Sequence, residues 1–216
     1  MVKVPFIAVE GPIGIGKTSL AKKISTHFDF YLLEEIVDEN PFLDKFYENI
    51  SEWSFQTEMF FLCNRYKQME DTENNFLKKN KPVVADYHIA KNMIFARRTL
   101  NDEQLEKYEQ IYRILTKDMP LPNILIYITG SLETLLERIK KRGREMEKNI
   151  DPEYLRQLSA DYEVFMDQFE KDHPEVPVIR INGDDYDFIE NQDDLENILA
   201  RVDETLETLM DKGAAK

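Results

Sequence analysis

With one cysteine in 216 residues, Cys63, the chain has no partner for an internal disulfide, so burial and hydrogen bonding must hold it together. The thiol sits in an apolar stretch with no His or Asn pattern around it, which predicts a buried, inert side chain. Basic residues are in the minority: 28 Lys and Arg face 42 Asp and Glu, a formal net charge of −14. A duplex nucleic acid needs a basic face, so no nucleic-acid partner is expected. Apolar runs of membrane-spanning length are missing, as is anything resembling a secretory leader, so no membrane partner and a cytoplasmic enzyme are expected. Repeats, low-complexity tracts and long linkers are missing as well, which predicts one domain over 1–216 ending in a frayed tail, 213–216. What remains, 42% hydrophobic and 32% charged, is enough to build a globular core.

Glycine is sparse, seven residues in all, yet three fall between positions 11 and 16. The apolar run 4–9 ends in Gly11-Pro-Ile-Gly-Ile-Gly16-Lys17-Thr18, a full match to G-x-x-x-x-G-K-[ST]. Gly11, Gly14 and Gly16 let the backbone turn its N–H groups inward without Cβ clashes, which makes a cradle for phosphate oxygens. Lys17 would reach the β- and γ-phosphates, and the Thr18 hydroxyl would ligate Mg²⁺. A helix opening at Lys17 aims its positive end at the same anion. A nucleoside triphosphate, with Mg²⁺, is the expected ligand.

Four more apolar runs, 30–33, 82–86, 123–129 and 176–181, read as strands. Helical spacing marks 18–28, 42–47, 53–77, 88–98, 101–117, 131–142, 151–171 and 191–210, with Asn101 and Ser131 as N-caps. Alternating strands and helices predict an α/β fold: a P-loop NTPase with a five-stranded parallel sheet flanked by helices. Ligands of such sheets bind beyond the carboxyl ends of the strands, where the glycine loop, Glu34-Glu35 and Asp86 all fall.

A phosphate loop fixes a ligand and not a reaction. A GTPase switch would need an Asn-Lys-x-Asp guanine reader, but Asn80-Lys81-Pro82-Val83 lacks the acid and no D-x-x-G follows a strand. Glu10-Gly11 opening the loop, Trp53-Ser-Phe, and Arg138, Arg142 and Arg144 ahead of Glu147 resemble the deoxynucleoside kinases. The likeness spans nearly the whole chain. It is strongest toward the bacterial deoxyguanosine kinases, through Trp53-Ser-Phe-Gln56 and Phe60-Phe-Leu-Cys63. It implies ATP-dependent phosphorylation of a deoxynucleoside 5′-hydroxyl, a homodimer, and a mobile lid at about 142–150 that carries arginines. The apolar helical surface in 42–66, more than a small sheet covers, agrees with a dimer.

By that resemblance Glu35 is the base that takes the proton of the 5′-hydroxyl. The family's Glu-Pro-Val is here Glu35-Ile36-Val37, and the missing proline keeps Glu34 as a rival. Asp86 stands where the family's acid holds Mg²⁺, directly or through water, with a helix N-cap as the plain alternative. Relatives continue that acid with Arg-Ser. Here Tyr87-His88 follows, which leaves Lys91 or Arg65 to supply the positive charge at the 5′ end. His88 is expected as a hydrogen-bonding wall residue, and His27 and His173 at the surface. Arg142 and Arg144 offer planar forks to phosphate oxygens, with Gly143 giving the lid its freedom. Arg138 does the same for the nucleotide, or else is an ordinary basic helix end. Lys140, Lys141 and Lys148 are expected to be solvated. Tyr47 and Glu147 align with residues that bind the 3′-hydroxyl, and Tyr47 would crowd a 2′ substituent.

Base choice follows from donors and acceptors. Glu58 and Arg65 lie seven residues apart on one helical face, about 10 Å, within apolar surroundings. Relatives carry Gln at position 58, which donates and accepts, whereas a carboxylate only accepts. Guanine offers it two adjacent donors, N1–H and the N2 amine, while Arg65 can donate to O6 or N7. Adenine N1 and cytosine N3 would set lone pairs against it. The alternative is a structural Glu58–Arg65 pair. Phe55, Phe61 and Phe95 are candidates to stack on the base. Phosphorylation of deoxyguanosine to dGMP is the expectation. A kinase preferring deoxyadenosine or deoxycytidine, a nucleoside monophosphate kinase and a non-enzymatic nucleotide switch are the competing readings.

Overall fold

A computed structural model describes residues 4–37, 39–148 and 150–214 of the chain. Asn149, inside the expected lid, and 215–216 of the expected tail lie outside the described residues. Strand β1, Phe6–Glu10, is buried along its whole length, as an apolar run in a sheet covered on both faces must be. Beside it run β3 (Val83–Ala85) and β4 (Ile124–Thr129), and outside these β2 (Tyr31–Leu33) and β5 (Val178–Asn182). Every pairing is parallel and the order is β2-β3-β1-β4-β5. All strands therefore end on one edge, and the chain reverses its direction of winding beside β1, where a crevice opens.

Alternation along β4 shows how the two faces are filled. Ile124, Ile126 and Ile128 pack with helices α1 (Lys17–Phe28) and α8 (Gln192–Ala214) through Leu20, Ile24, Ile198 and Val202. Leu125 and Tyr127 face the opposite layer, where α7 (Pro152–Asp172) contributes Leu155, Leu158, Tyr162 and Met166. Helices α2 (Leu43–Glu48), α4 (Lys91–Thr99), α5 (Asp102–Thr116) and α6 (Leu132–Arg142) complete the shell. Asn101 and Ser131 cap α5 and α6 by accepting from Gln104 N and Thr134 N, as their spacing predicts.

Helix α3 spans Ile50–Asn75, three residues earlier at its start than the apolar pattern suggests. Its buried positions, 54, 57, 58, 61, 62, 65, 69 and 72, form one stripe of helical period. That stripe carries Glu58 and Arg65, 2% and 4% exposed, into the interior. The expectation for Cys63 fails: its side chain is exposed. The run Met59–Cys63 is longer than one helical face, so with neighbours on one side only, position 63 is left outward. His27 is exposed, and His173 is part-buried against Phe169 rather than fully at the surface.

Candidate active site

At the carboxyl edge of the sheet lies a cavity of about 550 Å³. Its floor is the glycine loop between β1 and α1. Gly11 has φ +149°, and a Cβ there would stand 2.3 Å from the Ile128 carbonyl oxygen, so a side chain at this position would collide with backbone. Gly11 itself does not line the cavity, while Gly14, Gly16, Lys17 and Thr18 do. Gly16, left-handed at φ +105°, precedes the first turn of α1, whose free N–H groups open toward the cavity. Lys17 Nζ folds back to donate to the carbonyls of Gly11 and Pro12, at 2.7 and 3.0 Å. Burial, and then the charge of Lys91, lower its pKa to about 8.

Asp86 closes β3 and does not cap a helix, since α4 begins only at Lys91. One of its oxygens accepts from the Thr18 hydroxyl at 2.5 Å and the other from the Glu35 backbone N–H at 2.7 Å. Burial and the Glu35 carboxylate raise its pKa. A hydroxyl and a carboxylate in contact beside the phosphate loop are hard oxygen donors suited to Mg²⁺, which needs few protein ligands when phosphates supply the rest. Among the described residues no group of three or more His, Cys, Asp and Glu could hold a metal by itself.

Glu35 and Glu34 both line the cavity but differ in setting. Glu34 is half exposed and pairs with Lys22 at 2.7 Å. Glu35 is largely buried, its side chain 10% exposed, and receives Lys91 Nζ on both oxygens, together with Arg65 through Nε and Nη2 on one. Burial pushes its pKa up, but Lys91 and Arg65 override this and hold it well below the usual carboxylate range. Both candidates for the missing cation thus converge on one carboxylate. Arg65 Nη1 also donates to Asn92 Oδ1 at 2.8 Å, and Asn92 donates onward to the Tyr108 hydroxyl. Asn92 and Glu10 escaped the sequence reading as contributors. Glu10, buried at the end of β1, accepts from the backbone N–H of Gly11 and of His88, and so braces the loop. A polar residue closing an apolar strand was the available signal.

Glu58 lines the same cavity, and its Oε2 is buried with no hydrogen-bond partner. The structural Glu58–Arg65 pair is not formed: the guanidinium turns to Glu35 and Asn92 instead. Phe61 and Phe95 line the cavity, each with a cation over its ring, Arg65 and Lys91. Phe55 does not; it packs with Leu62, Met93 and Tyr108 on the other side of α3. His88 is no hydrogen-bonding wall residue. Its ring is buried edge-on to Phe169, away from the cavity, with neither nitrogen partnered, and burial lowers its pKa to about 4.

Across the cavity, Tyr47 and Glu147 lie near one another, and burial and then Glu147 raise the Tyr47 pKa. Glu147 receives Arg142 in a close ion pair and Arg144 at 3.7 Å. Gly143 ends α6 in a left-handed turn at φ +70° with open space around it. Arg138 reaches the cavity wall, but its fork is committed to backbone, donating to Ile15 O at 2.6 Å and Gly183 O at 2.8 Å. It bridges the phosphate loop to the turn after β5. Lys140 and Lys148 are exposed; Lys141, also exposed, pairs with Glu190.

The chain is similar to known proteins in sequence and in fold. Residues 7–207 match the family model of the deoxynucleoside kinases. The chain is 59% identical over 202 residues to a deoxyguanosine kinase of Bacillus subtilis, covering 94% of this chain and 98% of that protein. A deoxyadenosine/deoxycytidine kinase of the same organism is 30% identical over 201 residues, with 91% and 90% covered. The solved structure of a deoxyadenosine kinase from M. mycoides with bound dCTP superposes with a TM-score of 0.78, at 25% identity, over 92% of this chain and 99% of that one.

Proposed function

The chain belongs to the deoxynucleoside kinase family, and from that membership we propose that it phosphorylates the 5′-hydroxyl of deoxyguanosine with ATP, yielding dGMP and ADP. The observation that carries the base choice is the Glu58 carboxylate, buried in the cavity wall with an oxygen free. The relative with 59% identity, a deoxyguanosine kinase, agrees with it.

In this reading the N–H groups of the glycine loop and of the first turn of α1 hold the ATP phosphates, and Lys17 leaves its loop carbonyls to reach them. Thr18 and Asp86 would hold Mg²⁺, which when bound offsets negative charge on the phosphate oxygens. Glu35 orients the 5′-hydroxyl and receives its proton as the new O–P bond forms and the bond to the β-phosphate breaks. Its low pKa keeps it ionised at every working pH, and its proton transfer comes late, when the hydroxyl has become acidic. Arg142 and Arg144 neutralise charge on the transferred group, while Tyr47 and Glu147 hold the 3′-hydroxyl. Arg65 keeps N–H donors for the purine acceptors alongside its bonds to Glu35. Arg138 positions the loop and does not itself grip phosphate.

The whole chain serves as one kinase domain with 142–150 as its lid. A homodimer forms over the outer side of α3 and α5, where Cys63 is exposed and Ile114 is 76% exposed. No described helix is long and apolar enough to cross a membrane. A transfer assay with labelled ATP and Mg²⁺ against the four deoxynucleosides and deoxyinosine tests the function. Deoxyguanosine should give the highest kcat/KM, with deoxyinosine next. Preference for deoxycytidine would overturn the base assignment, and hydrolysis without transfer would overturn the kinase.

A further inference from the structure

Among the described residues, the other carboxylates lining the cavity each have a partner. Glu34 has Lys22, Glu35 has Lys91 and Arg65, Asp86 has the Thr18 hydroxyl, Glu147 has Arg142, and Glu190 has Lys141. Glu58 alone among them presents a buried oxygen with none. A carboxylate at that place accepts two hydrogen bonds and donates none. Once protonated, it donates through O–H and accepts through C=O. The two forms complement different bases. Guanine sets two donors side by side, N1–H and the N2 amine; adenine sets the N1 lone pair beside the N6 amine.

We propose that Glu58 reads the base in both of its protonation states, so that the cavity phosphorylates deoxyguanosine through the carboxylate and, as the pH falls, deoxyadenosine through the carboxylic acid. The proposal rests on the kinase reading above. The phosphoryl transfer is the same for both nucleosides: the 5′ O–P bond forms, the bond to ADP breaks, and the hydroxyl proton goes to Glu35. The proton on Glu58 comes from solvent and takes no part in that step.

The groups around Glu58 allow it to titrate by itself. Arg65 on its own helix and Lys91 of α4 favour the charged form, as does the Thr99 hydroxyl, while Glu35 opposes it. Tyr108 of α5, Tyr154 of α7 and Tyr47 of α2 are the remaining titratable neighbours. Burial outweighs the cations and brings Glu58 to about 7. Glu35 is displaced far below that value, and the three tyrosines are displaced above it. Lys17, lowered to about 8, acts on the phosphate donor and so affects both nucleosides alike.

Because such shared ionisations cancel, the ratio of kcat/KM for deoxyguanosine to that for deoxyadenosine isolates Glu58. Measured with saturating ATP and Mg²⁺ from about pH 6 to about pH 8, it should climb about tenfold per pH unit. The ratio of deoxyguanosine to deoxyinosine should stay flat, since hypoxanthine also presents N1–H. Glu58→Gln should flatten the deoxyguanosine to deoxyadenosine ratio. A flat wild-type ratio, a slope that survives in Glu58→Gln, or no deoxyadenosine turnover at about pH 6 would overturn the proposal. The two wild-type ratios decide the matter even if the variant fails to fold. Absence of transfer to all three nucleosides would sink the kinase reading together with this one, whereas deoxyguanosine turnover with a flat ratio sinks this one alone.

Discussion

Lys91 straddles Glu35, its Nζ lying 3.0 Å from one carboxylate oxygen and 2.9 Å from the other. Arg65 binds the same group from α3, so two buried cations fix the orientation of one largely buried anion. Such a cluster holds geometry more than it adds stability, because each charge gave up hydration to enter it. Under the proposed function, the cluster serves to aim that carboxylate at the 5′-hydroxyl.

Lys91→Met should therefore lower kcat by about 10²-fold with a smaller change in the KM for ATP. Lys91→Arg, which keeps the charge, should recover part of the loss. Glu35→Gln should cost at least as much in kcat while ATP still binds, and it strands two buried cations. Steady-state kinetics with isothermal titration of ATP separates these effects. Unchanged turnover in Glu35→Gln would hand the proton-accepting role to Glu34.

Gly11→Ala would force a Cβ to within 2.3 Å of a backbone oxygen on the neighbouring strand, which cannot swing aside. The expected result is a loss of about 2–4 kcal/mol in unfolding free energy and of ATP binding. Gly143→Ala meets no atom within 4 Å, so only its φ of +70° resists. That substitution should cost about 1 kcal/mol and leave ATP affinity in place. Denaturant melts and ATP titrations on the pair check both.

Arg138→Ala should raise the KM for ATP and lower stability together, by about 1–3 kcal/mol, since it leaves the Ile15 and Gly183 carbonyls without their donor. Arg142→Ala and Arg144→Ala should instead lower kcat, with stability little changed. A large kcat loss in Arg138→Ala with normal Tm and KM would mean that the side chain reaches the transferred phosphate directly.

Burial raises the Glu58 pKa from its ordinary 4.5 to about 7. A carboxyl raised in the folded state is fully stabilising below its unfolded value, and that contribution is lost as the pH climbs through the folded value. Between about pH 4.5 and pH 7 the wild type should thus lose about 3 kcal/mol that Glu58→Gln does not. Melting curves should show the variant gaining on the wild type as pH rises to about 8. Parallel curves would mean that Glu58 is already ionised in the folded chain at low pH.

The phosphate loop and the sheet could be read from residue order because each depends on local rules. Glycines at 11, 14 and 16 answer a backbone demand, and an apolar run as short as β1 fits a strand buried on both faces. Glu58 could be singled out too, since a lone acid on an apolar stripe calls for a partner other than water. Cys63 was misplaced because helical periodicity gives the buried face but not the number of neighbours. Phe55 and Phe61 look alike in sequence, yet one faces α5 and the other the cavity, a difference set by where neighbouring helices pack.

Residue order alone was enough for the parallel sheet, the triphosphate loop at its carboxyl edge and the kind of chemistry that follows, because strand and glycine conformations are set within short segments. Which charges meet depends on how the folded segments pack. Arg65 could have paired with Glu58 two turns away on the same face; instead the segment after β2 brought Glu35, and packing of α4 against α3 brought Lys91 and Asn92, closer, and Glu58 keeps an unpartnered oxygen. Ion pairs depend on distances of a few ångströms between segments far apart in the chain, and nothing in residue order fixes those.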